Sequence, residues 1–126
     1  VSFEQGDATA LREDLGDFDA VIAANLLCRL PDPHKFLARL PSLVRPGGVV
    51  VMPSPYTWME EYTPKDKWIG AQYDASGKAV RSIDVIKAAL LKDFELVMDK
   101  DFPFYIRETA RKNQFTTSHL TVWRRK

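Results

Sequence analysis

Asn25 closes an apolar run, Ala20-Val21-Ile22-Ala23-Ala24, where an amide must either find hydrogen-bond partners or face a cavity. A second apolar run, Val49 to Met52, is followed by Tyr56, Trp58, Glu60, Glu61 and Tyr62. Grouped aromatic rings stack on flat ligands and attract cations. Acids among them bind cationic or N–H groups, or simply face solvent on a packed surface segment. Arg107 follows the apolar stretch Phe102 to Ile106 and offers a planar fork to a carboxylate. A salt bridge to Glu108 or to the acids at 60 and 61 would use it equally well. Asp7 lies between Gly6 and Ala8 on a turn, where it serves either a ligand or the turn itself. Cys28 has no His near it in sequence and reads as a small buried residue. His34 and His119 read as structural, and no His/Cys/Asp spacing suggests a metal site, so none is expected.

These residues need strand ends and loops to hold them. Continuous apolar runs such as 17–24 and 49–52 belong to strands covered on both faces, as in parallel sheets. Between them, Asp32-Pro33 is an N-cap and first-turn pair. Phe36, Leu37, Leu40 and Leu43 follow at helical spacing, predicting a helix from Pro33 to Val44 that Pro41 tightens or kinks. Pro46-Gly47-Gly48 ends it, and a helix between two such strands predicts parallel neighbours. Val1 to Glu4 reads as a short strand, with a short helix at 8–12 after it. Residues 54–76 read as a loop or lid with short helical pieces. Ser82 is placed to cap a helix carrying Ile83, Ile86, Leu90 and Leu91. Phe94–Met98 and Leu120–Trp123 read as an antiparallel pair across an excursion at 101–117.

A chain of 126 residues forms one domain at most. Its 45% hydrophobic and 28% charged residues are ordinary for a globular protein, and its net charge of +1 gives no general attraction to nucleic acid or anionic lipid. The single cysteine excludes an internal disulfide and suits a reducing compartment, so the cytoplasm is the expected location. No apolar run approaches the roughly 18 residues of a membrane span, and no signal-peptide pattern is seen within these residues. The chain starts with Val, which suggests a processed, cut or incomplete N-terminus.

Gly6-Asp7-Ala8 after a strand, Asn25-Leu26-Leu27 after the next and Pro46-Gly47-Gly48 before a third resemble, in order and spacing, the second half of class I S-adenosylmethionine-dependent methyltransferases. Longer phrases narrow the resemblance. They are Ala24 to Pro33, Ser54-Pro55-Tyr56-Thr57-Trp58-Met59-Glu60-Glu61-Tyr62-Thr63-Pro64, Pro103 to Lys112 and Thr121-Val122-Trp123-Arg124-Arg125. Together they are similar to the methyltransferase domain at the C-terminus of bifunctional ovothiol-biosynthesis enzymes, which methylate a nitrogen of mercaptohistidine. The resemblance implies an α/β Rossmann-like fold, with parallel strands and a terminal antiparallel hairpin, in which residues 1–126 are strands three to seven. It implies S-adenosylmethionine as cofactor and a small imidazole amino acid as substrate. Gly6, Asp7, Ala8, Asn25, Leu26 and Leu27 then fall on the cofactor. Tyr56, Trp58, Glu60, Glu61 and Arg107 fall on the substrate, with Asn25 and Tyr56 nearest the reacting atoms. Asp7 meets the adenine amino group on this reading, and Asn25 holds the methionine end or orients the substrate. A methyl acceptor other than thiohistidine stays open.

The sequence departs from the family in one respect. Its six glycines form no Gly-x-Gly-x-x-Gly, and the first two strands with their Gly-rich loop and ribose-binding acid are missing. On this expectation the domain is incomplete, the fragment alone is inactive or non-catalytic, and a sulfoxide synthase domain precedes it in the parent protein. Residues 20–24 would form an unpaired apolar edge, open to strand exchange in a dimer.

Overall fold

Asp32 and Pro33 start a helix as their chemistry favours. In the computed structural model, which describes residues 1–126, α1 spans Pro33–Leu43, and the Asp32 carboxylate accepts the His34 backbone N–H at 3.1 Å. Proline at the first position has no N–H to leave unpaired. Phe36, Leu37, Leu40 and Leu43 form its buried stripe, and Pro41 sits in the last turn without ending it. Strands β1 (Phe18–Ile22) and β2 (Val44–Ser54) flank α1 and pair in parallel, Ala20 opposite Val49 and Ile22 opposite Val51. The residues around Pro46-Gly47-Gly48 bulge out of β2 between the Phe18–Val44 and Ala20–Val49 pairs. Gly48 admits no side chain there, because a Cβ would lie 2.8 Å from Val44 Cγ1 and 2.9 Å from the Asp19 carbonyl oxygen.

Beyond β2 come the two-residue strands β3 (Gln72–Tyr73) and β4 (Ala79–Val80), the helix α2 (Ser82–Leu90), and the long strands β5 (Phe94–Arg107) and β6 (Asn113–Arg125). The main sheet has the order β1-β2-β6-β5, with β6 antiparallel to both its neighbours. Alternate residues on one face, Val50, Met52, Thr121 and Trp123, are buried; Val50, Met52 and Trp123 join Leu37, Leu40, Ile86, Leu90 and Phe94 in the core. Val51 and Val122, turned the other way, are half-buried.

Three expectations need correction. The antiparallel pair is present, but residues 101–117 are no excursion: the ladder continues to the Arg107–Asn113 pair. Past the Ser54–His119 pair this two-stranded ribbon is largely exposed on both faces, so no apolar alternation marked it, and Pro103 is tolerated because β5 is the sheet's edge. The strand expected at Val1–Glu4 does not form, since no neighbour lies alongside to pair with it. Instead Glu4 pairs with Arg12 at 2.8 Å. Finally, β1 is the other edge and is not covered on both faces: Ile22 is 72% exposed and Phe18 42%.

The 54–76 segment begins once β2 ends at Ser54 and is fastened to the core. Trp58 Nε1 donates to Ser82 Oγ at 3.1 Å, Trp68 Nε1 to the Thr63 carbonyl at 2.8 Å, and the Thr63 hydroxyl to the Leu30 carbonyl at 2.6 Å. With its hydroxyl engaged by Trp58, Ser82 does not cap α2; it is the first helical residue, and Arg81 occupies the cap position. No helix is long and apolar enough to cross a membrane.

Candidate functional site at the strand tips

Both parallel strands end in a non-glycine residue with left-handed backbone. Asn25 has φ +52° and Tyr56 φ +50°. Asn tolerates this region, whereas an aromatic residue held there stores roughly 1 kcal/mol or more of strain, a feature that clusters at functional sites. The Asn25 N–H donates to the Pro53 carbonyl at 2.8 Å and the Tyr56 N–H to Ser54 Oγ at 3.3 Å, so the two tips are built on one another. Asn25 Oδ1 accepts the Ser118 hydroxyl at 3.2 Å. Asn25, Ser118, Pro53, Phe102 and Phe104 line a hollow of about 180 Å³. One amide and two aromatic rings can orient the polar end of a ligand and face a cation. Phe102 and Phe104 were not among the expected site residues; they share a face only because the β5–β6 ladder runs through 101–107.

A second group lies where β2 leaves the sheet. The Tyr56 hydroxyl is 3.0 Å from His119 Nδ1, and His119 Nε2 is 2.5 Å from Asp99 Oδ1. Since a carboxylate only accepts, the ring proton is on Nε2, and Nδ1 accepts from Tyr56. Burial, followed by the Asp99 charge and Cys28, pushes the Tyr56 phenol well above its ordinary value. The His119 hydrogen bond holds the Asp99 carboxyl below the usual carboxylate range, helped by Lys87 at 3.8 Å. His119 and Asp99 escape notice in sequence because they act only across paired strands.

The other expected residues fall in several places. Leu26 is half-buried, while Leu27 and Cys28 are core residues, so Leu27 does not wall an open site. Trp58 likewise packs in the core with its N–H engaged, not toward an open face. Glu60 and Glu61 are exposed, and Glu61 raises the pKa of Tyr62 by hydrogen bonding to it. Arg29 was not singled out, yet it donates to the Thr57 carbonyl at 2.9 Å and lies 4.7 Å over the Tyr62 ring, tying the loops after β1 and β2 together. Arg107 sits at the ribbon's far end and donates to the Thr109 carbonyl, while Glu108 pairs with Lys112. Six strand positions separate Arg107 from the partner of His119, about 20 Å at the rise of a strand.

Asp7 forms the turn itself: its carboxylate accepts the Thr9 N–H at 2.8 Å and the Thr9 hydroxyl at 2.7 Å, which lowers its pKa. No helix forms at 8–12, and Ala8 is half-buried. Gly6 and Asp7 line a hollow of about 570 Å³ with Leu11, Leu15 and Phe18, at the amino end of β1. It shares no lining residue with the Asn25 hollow. The structure therefore brings Asn25 and Tyr56 to adjacent tips, Asn25 in the hollow and Tyr56 on His119, but does not bring Asp7 into that hollow.

Residues 1–52 match the family model described as methyltransferase domain. No curated protein matches the chain. Among solved structures, it is similar to a protein described in the conversion of a disulfide bond into a thioacetal group during echinomycin biosynthesis, with 20% identity and a TM-score of 0.64 over 98% of this chain and 55% of that one. It is similar to a SAM-dependent methyltransferase of Methanosarcina mazei, with 16% identity and a TM-score of 0.57 over 95% of this chain and 65% of that one. A Bacillus halodurans C-125 protein described by its similarity to methyltransferases gives 15% identity and a TM-score of 0.59 over 95% of this chain and 69% of that one. The chain thus spans about half the length of the first of these. Its fold is that of class I methyltransferases, whose cofactor is S-adenosylmethionine. A nucleoside-sized ligand needs a pocket of roughly 300 Å³ or more, so the Asn25 hollow fits one end of such a molecule and not the whole.

Proposed function

We propose that this chain, with the sheet of class I methyltransferases and a methyltransferase-domain match over residues 1–52, serves methyl transfer from S-adenosylmethionine to a small imidazole amino acid of the thiohistidine type. The observation that carries this reading is the pair of left-handed tips, Asn25 and Tyr56, side by side past the carboxyl ends of parallel strands, with Asn25 bordering an aromatic hollow. Ligands of open α/β sheets sit outside the carboxyl ends of the strands.

S-adenosylmethionine supplies a methyl group on a sulfonium and leaves as a neutral thioether. The displacement is governed by distance, alignment and exclusion of water more than by acid–base groups. On this reading Asn25, fixed by Ser118, orients the cofactor's polar end, and Phe102 and Phe104 present ring faces to its positive charge. Tyr56 faces the acceptor, and the exposed Glu60 and Glu61 are available to its amino group. The thiohistidine class rests on the Ser54–Pro64 and Pro103–Lys112 phrases. The remaining cofactor contacts come, in this reading, from a Gly-rich loop and an acid outside residues 1–126, in a cytoplasmic protein that also carries a sulfoxide synthase domain.

The test is to give the full-length protein methyl-labelled S-adenosylmethionine with a thiolated histidine, histidine and unrelated small amines in parallel. Label on the thiolated histidine is the expected result. Label on another acceptor overturns the substrate class, and label on none overturns methyl transfer to small molecules.

A further inference from the structure

We propose that Tyr56, His119 and Asp99 form a proton relay that takes up the proton an acceptor loses when it is methylated, an inference that rests on the methyl-transfer reading above. The three side chains come from three separate elements: the turn after β2, β6 and β5. They are aligned by the sheet register, in which His119 sits opposite both Ser54 and Asp101. Asp99 lies two positions before Asp101 on the same face of β5, within reach of Nε2. Tyr56 follows Ser54 by two residues, and its left-handed backbone accompanies the placement of its hydroxyl on Nδ1. A relaxed extended residue would continue the strand direction instead.

The directions of the two hydrogen bonds give the relay its polarity. Asp99 keeps the proton on Nε2, which leaves Nδ1 as the ring's proton acceptor, and Tyr56 already points its O–H at that atom. Exposure rises along the chain of groups: the His119 side chain is 17% exposed and Asp99 40%, so the far end opens to water. The charged and titratable groups facing this chain are Lys87 and Arg81 from the α2 side, Asp101 beside Asp99 on β5, and Cys28 near Tyr56. As an acceptor nitrogen gains the methyl group, its N–H proton passes to Tyr56 Oη while the Tyr56 proton passes to His119 Nδ1. The imidazolium so formed keeps its Nε2 proton on Asp99. The relay's charge goes from −1 to 0, and the proton then leaves from Nδ1 or through Asp99 to water. Tyr56 is the group in contact with the acceptor; His119 and Asp99 act through it.

The test has two readings. Nitrogen NMR of the His119 ring in the full chain should find Nε2 protonated and Nδ1 bare, and Asp99→Asn should yield a mixed or inverted tautomer. In the full-length protein, Tyr56→Phe, His119→Gln and Asp99→Asn should each lower kcat by about 10²-fold, the low end of general acid–base effects, with KM within about twofold of the parent. A native Nδ1–H tautomer, or methyl transfer whose kcat is untouched by His119→Gln and Asp99→Asn, overturns the relay. The expected tautomer and its response to Asp99→Asn support the relay whatever acceptor is found. Absence of any methyl transfer by the native protein then counts against the function and not against the relay.

Discussion

Replacing Asn25 separates what its backbone does from what its side chain does. Its φ of +52° is a conformation that costs an ordinary L-residue about 1–2 kcal/mol, that Gly adopts freely and that Asn tolerates. Its Oδ1 accepts the Ser118 hydroxyl at 3.2 Å, a bond worth about 1 kcal/mol net. Asn25→Ala loses the bond and adds the strain, for a total of about 2 kcal/mol. Asn25→Gly loses the bond but relieves backbone strain, leaving a net change of about 0–1 kcal/mol. Ser118→Ala loses the bond alone, about 1 kcal/mol. For a chain of this size 1 kcal/mol moves Tm by about 3–5 °C. Thermal unfolding of the full chain should therefore rank Asn25→Gly closest to the parent, Ser118→Ala next and Asn25→Ala lowest, some 6–10 °C down. A glycine variant as unstable as the alanine variant would refute the reasoning, since backbone strain would then not decide the site.

Gly70→Ala would set a Cβ 2.8 Å from the Ser82 backbone nitrogen and against its hydroxyl; overpacking there should cost about 1–3 kcal/mol, read as a lower urea midpoint at unchanged slope, and an unchanged midpoint would contradict it. Asp99 has its folded pKa below the ordinary carboxylate value, so its contribution to stability is complete above that value and lost as pH falls through the lower one. The Tm gap between the parent and Asp99→Asn should thus be present at pH 6 and close below about pH 4; a gap that widens in acid would be the wrong sign. Ile22→Lys places a charge on the open apolar edge of β1. It should suppress any self-association of the 126-residue chain in sedimentation velocity, and association unaltered by the lysine would exclude this edge as its cause.

The β1-α1-β2 unit was legible because each of its signals is local: two apolar runs, the Asp32-Pro33 start and the Phe36–Leu43 stripe. Asn25 was legible as a strand-end residue and Tyr56 as a loop residue, though not the left-handed backbone of either. The long ribbon was not, because Asp99, Asp101, Gln114 and Thr117 carry no apolar period where both faces meet solvent. Ser82 misled as a cap because its hydroxyl is claimed by Trp58, a partner 24 residues away. His119 and Asp99 were invisible for the same reason: a pair 20 residues apart becomes a unit only through the β5–β6 register. Val1–Glu4 has strand composition, yet a strand exists only where another lies beside it.

The central claim is that the cofactor's reactive end lies at the tips of β1 and β2. The most direct measurement is backbone amide NMR of the full-length protein titrated with S-adenosylhomocysteine, the product of methyl donation. Saturable shifts at Asn25, Leu26, Ser118 and Tyr56 are the expected result. Shifts confined to residues 2–18 around the Asp7 hollow, or none at the strand tips, would contradict it.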